Sequence, residues 1–138
     1  ALKWEPKHAL DAILLDAPCT ATGTARRHPD VLHRIGPQTI EQMAQLQAAL
    51  LQRAQGWLKP GGTLVYATCS LERAEGEDQI ARFLDARPDF ARDPIATSEL
   101  PEGMAPDPQG WLRTLPDTLA RAGGTDGFFI ARLVRRAH

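Results

Sequence analysis

Cysteine is scarce in this chain, and so are lysine, aromatic residues and long apolar runs. Two cysteines in 138 residues are too few for the disulfide framework of a small secreted domain. Reduced thiols in a cytoplasmic protein are the expectation. No apolar run approaches the ~20 residues of a membrane-spanning helix, and no secretory leader pattern opens the chain. Partnership with a membrane is therefore not expected. Nor does charge of one sign dominate. The 16 basic and 17 acidic residues leave a formal net charge of −1, so charge alone does not announce a nucleic-acid binder. Among the cations lysine is the rare one, 3 against 13 arginines. The planar donor fork of arginine suits phosphate and stacks on bases, although a genome rich in G and C produces the same skew. His8, His28, His33 and His138 show no ligand spacing, and two thiols cannot fill a four-ligand zinc site. No metal is expected. A glycine-rich nucleoside loop is missing too. The chain opens Ala1-Leu2-Lys3-Trp4 and reaches a buried-type strand soon after, which reads as the back half of a larger fold.

What is present is one α/β domain at most. A chain of this size can bury a real core, roughly 70% of the unfolded surface for about 150 residues. Ala12 to Leu15 is a short apolar run ended by Asp-Ala-Pro and reads as a central parallel strand. Residues 17–38 carry Pro18, Gly23, Pro29, Gly36 and Pro37 without periodicity, a long loop of the kind that is usually functional or disordered. A helix follows. Thr39 with Gln42 fits a capping box, and Ile40, Met43, Leu46, Leu50, Ala54 and Trp57 form an apolar stripe. Lys59-Pro60-Gly61-Gly62 turns the chain into a strand over Thr63–Thr68. A second helix is predicted from Ser70–Glu72, with Ile80, Phe83 and Leu84 as its buried face. Residues 88–110 hold five prolines and read as irregular. Trp111–Leu115 is a weak strand and Gly127–Val134 a firm one, expected to pair as an antiparallel hairpin at the sheet edge.

The cysteines fall at informative places. Cys19 follows the first strand in Asp16-Ala17-Pro18-Cys19, and Cys69 follows the second in Thr68-Cys69-Ser70. Ligands of open α/β sheets bind at the carboxyl ends of strands, so both thiols are expected to face one crevice. Cys69 is the better nucleophile candidate, because a helix starting just after it would lower its pKa. Each cysteine taken alone reads more readily as structural, Cys69 as a small buried hydrophobe and Cys19 as part of a turn. Asp16 is either a cap on the next turn or a ligand at the crevice. Arg26-Arg27-His28, with His33 and Arg34 against Asp30, is a local cationic patch that suits phosphate contacts or simply a solvated loop.

Three blocks together resemble the Sun-type (RsmB-like) RNA cytosine carbon-5 methyltransferases. The first is Leu15-Asp16-Ala17-Pro18-Cys19-Thr20-Ala21-Thr22-Gly23 with Arg26-Arg27-His28-Pro29-Asp30 after it. The second is Leu58-Lys59-Pro60-Gly61-Gly62-Thr63-Leu64-Val65-Tyr66-Ala67-Thr68-Cys69-Ser70. The third is Thr125-Asp126-Gly127-Phe128-Phe129-Ile130-Ala131-Arg132-Leu133. The Arg-Arg-His-Pro-Asp run leans toward the small-subunit ribosomal RNA branch.

The resemblance implies the carboxyl-terminal half of a Rossmann-like, S-adenosylmethionine-dependent methyltransferase fold, with parallel strands plus an antiparallel edge hairpin. Residues 1–138 would be a partial catalytic domain, without the cofactor-binding first half and any RNA-binding domain. It also implies roles. Cys69 attacks carbon 6 of a cytosine, so that carbon 5 accepts the methyl group. Cys19 assists release of the product. Asp16 and Pro18 lie at the cofactor, and Arg26, Arg27 and His28 touch RNA. Asp117 stands where the family usually has His. Such a fragment is expected to be inactive alone and to associate, as a homodimer, through the open edge of the 12–15 strand. Two other readings remain. One is a Rossmann-type methyltransferase acting on an amino group, whose turn would read Asp-Pro-Pro-aromatic. The other is a non-catalytic interaction module on the same half-fold.

Overall fold

The computed structural model describes residues 3–137; His138 and the first two residues lie outside them. The chain forms β1 (Leu10–Asp16), α1 (Pro37–Trp57), β2 (Leu58–Thr68), α2 (Glu77–Ala86), β3 (Phe90–Arg92), β4 (Leu112–Arg113) and β5 (Phe129–Arg135), with short 3-10 turns between them. The sheet order is β1-β2-β5-β3, and β4 also pairs with β5. β1 and β2 are parallel, joined through α1 as such a pair requires. β5 runs antiparallel to β2, β3 and β4.

Apolar side chains on one face of this sheet make the core. Leu64 and Tyr66 of β2 lie beside Phe129, Ala131 and Leu133 of β5, and with Leu51 and Ala54 of α1 and Ile80 and Phe83 of α2 they form one buried cluster. Ile13 and Leu15 of β1 pack against it. Phe129 is central, with ring centroids 6.3 Å from Tyr66 and 5.7 Å from Trp111, both edge-on. That is the geometry aromatic quadrupoles favour. The opposite face is open on the β1 side, where Leu14 is 70% exposed.

Several expectations change. The 12–15 run, central in type, lies in the strand at the edge of the described sheet, with the open edge expected for it, since among the described residues only β2 pairs with it. β4 and β5 do pair antiparallel, but β5 lies inside the sheet, and β3 and β4 share its outer side. β3 falls in the segment read as irregular; Pro88 and Pro94 bracket it and keep it short. The Lys59–Gly62 turn is absorbed into β2 as an irregularity, with Gly61 at φ +81° and a register break between Leu10↔Leu58 and Ala12↔Thr63. The long loop contains two 3-10 turns, Thr22–Thr24 and Pro29–His33.

Both helices start elsewhere than expected. α1 begins at Pro37, not at a Thr39 cap, since proline is already set for the first turn and lacks a donor that would go unpaired there. Its buried line runs through Ala44, Gln47, Leu50, Leu51 and Ala54. Of the predicted stripe only Leu50 and Ala54 are fully buried; Ile40, Met43, Leu46 and Trp57 are half-buried. α2 begins at Glu77, behind a 3-10 turn at Arg73–Glu75. No helix is long and apolar enough to cross a membrane among the described residues.

Truncating the core centre, Phe129→Ala, is expected to cost about 3–5 kcal/mol. Urea unfolding of the two chains measures it, and a loss below about 1 kcal/mol would contradict the assigned packing.

Candidate active site

The parallel pairing of β1 and β2 continues one step beyond β1, where Ala17 N–H donates to the Ala67 carbonyl at 2.9 Å. The two chains therefore leave the sheet side by side. Cys19 lies two residues past this contact and Cys69 two residues past its partner. Their sulfurs are 3.3 Å apart. Both are free thiols and half-buried. Asp16, opposite Ala67 in the register, is exposed beside them. The two thiols lie together at the carboxyl ends of β1 and β2, with Asp16 near enough for its charge to act on Cys69.

A carboxylate holds the two turns together. Glu75 is fully buried. From the first cysteine turn it accepts the Thr20 backbone N–H at 2.9 Å and the Thr20 hydroxyl at 2.5 Å. From the second it accepts the Ser70 hydroxyl. Gln47 of α1, also fully buried, donates to Glu75 at 3.0 Å and to the Pro18 carbonyl at 2.9 Å. The Tyr66 hydroxyl donates to the Glu75 carbonyl at 2.7 Å. Around this centre, Leu71 N–H donates to the Thr22 hydroxyl at 2.8 Å and Glu72 N–H to the Ser70 hydroxyl at 3.0 Å. Arg113 of β4 donates to the Ser70 carbonyl and makes a two-point ion pair with Glu77, its closest contact 2.7 Å.

The third block closes on the first. Gly23 N–H donates to the Cys69 carbonyl at 2.9 Å, and Gly127 N–H donates to the Gly23 carbonyl at 2.7 Å. A Cβ on Gly23 would lie 1.9 Å from the Gly127 oxygen, so only glycine fits this crossing. Asp126 receives Arg26 at 2.9 Å and also Arg27. The cationic run is thus tied to two acids, Asp30 through Arg34 and Asp126, where the local sequence shows only the first. His28 and Pro18 both stay exposed.

Electrostatics separates the two thiols. A hydrogen bond from Cys19 lowers the Cys69 pKa from its ordinary value to about 7, against opposition from burial and from the charges of Asp16 and Asp126. The same bond, followed by burial, raises that of Cys19. Of the two sulfurs, Cys69 is the one favoured to lose its proton and Cys19 the one favoured to keep it. The expected cause, an adjacent helix N-terminus, is not the one at work, since the 3-10 turn separates Cys69 from α2. The pair is a soft nucleophile with a proton-bearing group at its side.

Glu75, Gln47 and Arg113 are the residues that sequence reasoning missed. Glu75 sits in an acidic run that reads as a solvated helix start. Gln47 breaks an apolar stripe, which was the only available signal. Arg113 lies in a weak strand with nothing to mark its reach.

Comparison with known proteins adds the following. The family described as 16S rRNA methyltransferase RsmB/F matches residues 2–134. Ribosomal RNA small subunit methyltransferase B of Salmonella paratyphi B is 45% identical over 136 residues, 97% of this chain and 28% of that protein. The same-named protein of Salmonella newport matches equally. The chain thus spans little more than a quarter of the length of these relatives. Among solved structures, NSun6 from Pyrococcus horikoshii with SFG, an S-adenosylmethionine analogue, superposes with a TM-score of 0.73 at 30% identity, over 93% of this chain and 30% of that one. A methyltransferase homolog protein from Pyrococcus horikoshii gives 0.69 at 34% identity, over 93% and 40%. The sheet and helices are those of Rossmann-like methyltransferases.

Two outcomes are expected. Alkylation of Cys69 by iodoacetamide, followed by peptide mass spectrometry, should be half-maximal near the pKa of about 7: slow below it, where the thiol is protonated, and fast above. In Cys19→Ala the midpoint should rise toward the ordinary cysteine value of about 8.5; an unmoved midpoint would refute the thiol–thiol bond as cause. Glu75→Ala should leave buried donors unpaired at roughly 1–3 kcal/mol each. The thermal melt should drop far more than for an exposed control such as Glu41→Ala.

Proposed function

This chain belongs to the 16S rRNA methyltransferase RsmB/F family, and from that membership we propose that it serves transfer of a methyl group from S-adenosylmethionine to carbon 5 of a cytosine in small-subunit ribosomal RNA, through a covalent adduct on Cys69. The observation that carries this reading is the pair of free thiols, 3.3 Å apart, at the carboxyl ends of adjacent parallel strands. A methyltransferase acting on an amino group has no use for a nucleophilic thiol, still less for a second one beside it.

The steps follow from the two sulfurs. The Cys69 thiolate attacks carbon 6 of the cytosine. The S–C6 bond forms, and electron density moves through the ring so that carbon 5 becomes the nucleophile. S-adenosylmethionine, when bound, supplies the electrophilic methyl group that carbon 5 takes. Release then requires loss of the carbon-5 proton and cleavage of the S–C6 bond. We assign the removal of that proton to Cys19, the thiol beside Cys69. While Cys69 is anionic, its hydrogen bond and charge keep Cys19 protonated. Once Cys69 is a neutral thioether both of these causes vanish and burial alone still opposes ionisation, so Cys19 holds its proton less strongly than before. Nucleophile and base are thus brought into play in order. The cytosine must leave any base stack to reach the thiolate.

Asp16 is chemically suited to the cofactor side. It is an exposed carboxylate at the strand end, close enough for its charge to act on Cys69, and it matches the positive sulfonium and ammonium groups of S-adenosylmethionine. Pro18 fixes the turn beside it. Arg26, Arg27 and His28 stand at the rim for phosphate contacts, which orient RNA without reading its sequence. Two arginines on the one Asp126 leave a positive excess there. We assign the protein to the cytoplasm, where ribosomal RNA and reduced thiols coexist. Residues 1–138 supply the thiol-bearing part of the catalytic domain, and alone they should bind S-adenosylmethionine weakly and not turn over.

The test uses the full-length protein that carries this chain and RNA labelled for gel analysis. Cys69→Ala should abolish methyl transfer and form no adduct. Cys19→Ala should accumulate a covalent RNA–protein complex, because attack survives and release is impaired. A stable adduct with Cys69→Ala and none with Cys19→Ala would reverse the two roles.

A further inference from the structure

We infer that Cys19 and Cys69 are also an oxidation site, at which a peroxide converts the two thiols into an intramolecular disulfide that shuts the crevice reversibly. Three observations carry this. The sulfurs stand 3.3 Å apart, so a bond of about 2 Å needs them to close by little more than an ångström. Both are only half-buried, which admits a molecule as small as hydrogen peroxide. The turns that bear them cannot drift apart, because Glu75 bonds to both, Thr22 to Leu71 and Gly23 to the Cys69 carbonyl. The chain holds no third cysteine, so Cys19 is its sole resolving thiol.

The chemistry balances. The Cys69 sulfur attacks one peroxide oxygen. The S–O bond forms, the O–O bond breaks, and the departing hydroxide leaves as water with one proton. The sulfenic acid at Cys69 then faces Cys19. Cys19 sulfur attacks Cys69 sulfur, the S–S bond forms, the S–O bond breaks, and hydroxide leaves as water with the Cys19 proton. Two thiols have given up two electrons and two protons, and one peroxide has become two waters. The thiolate character of Cys69 places the first attack there. Held in contact, Cys19 intercepts the sulfenic acid before a second peroxide carries it to the irreversible sulfinic acid. A dithiol reductant restores both thiols. The effect on methyl transfer rests on the role given to Cys69 above; formation of the disulfide does not.

The experiment exposes this chain to hydrogen peroxide, blocks remaining thiols with iodoacetamide and maps peptides by mass spectrometry. Both thiols should be lost to alkylation together. The Cys19 and Cys69 peptides should appear joined, in a product with the mass of one chain, and dithiothreitol should return both. In Cys19→Ser the same treatment should drive Cys69 to sulfinic acid that dithiothreitol does not reverse. Three results would overturn the inference: sulfinic acid at Cys69 of the unsubstituted chain with Cys19 still alkylatable, a disulfide between two chains, or no oxidation at either sulfur. A disulfide formed in this chain, together with a full-length protein that never methylates RNA, would refute the proposed function and leave this site standing.

Discussion

The buried carboxylate of Glu75 is the constraint from which the site follows. A carboxyl group taken fully out of water is costly unless its oxygens are satisfied. Here the donors come from a backbone amide, two hydroxyls and a glutamine side chain. Those donors belong to different stretches of chain: the turn after β1, the turn after β2, and α1. The requirement to satisfy one acid therefore fixes where two cysteine-bearing turns must lie, and 3.3 Å between the sulfurs is a consequence. A hydrophobic contact at the same place would be non-directional and would leave both turns free to slide.

The asymmetry of the thiols is a second consequence. The largest cause lowering the Cys69 pKa is the hydrogen bond from its neighbour, joined by a backbone hydrogen bond, in spite of two nearby acids. A pair sharing one proton has one anion and one donor at any moment, and burial favours giving the proton to the more enclosed sulfur. The arrangement resembles a carboxylate dyad in logic, with like groups pushed apart in pKa by proximity. It makes the two cysteines inequivalent before any substrate arrives.

Much of this was legible in the sequence because it rests on local pattern. The β1 and β2 runs, their parallel pairing and the placement of cysteines just past strand ends follow from short apolar stretches broken by Pro-Cys and Thr-Cys-Ser. What escaped depends on partners far along the chain. Glu75 looks like its exposed acidic neighbours until Thr20, 55 residues earlier, is placed against it. Gln47 disrupts the apolar stripe of α1 because the helix turns a polar side chain toward that acid. Arg27 and Asp126 are 99 residues apart, so the loop's apparent excess of positive charge could not be corrected locally. β3 is three residues between prolines, too short for alternation to show.

The three sequence blocks owe their spacing to one meeting point. The glycine that ends the first block crosses the backbone of the glycine in the third and lies against the Cys69 carbonyl. A side chain on either would collide: on Gly23 with backbone, on Gly127 with Leu71 at 2.3 Å. Asp126, next to that crossing, gathers Arg26 and Arg27, so the arginines are held over the cysteine turns instead of sweeping through solvent. Small residues at the crossing, a carboxylate beneath it and arginines at its rim thus belong to a single packing problem. Its solution holds the Cys69 and Cys19 sulfurs against each other, 3.3 Å apart.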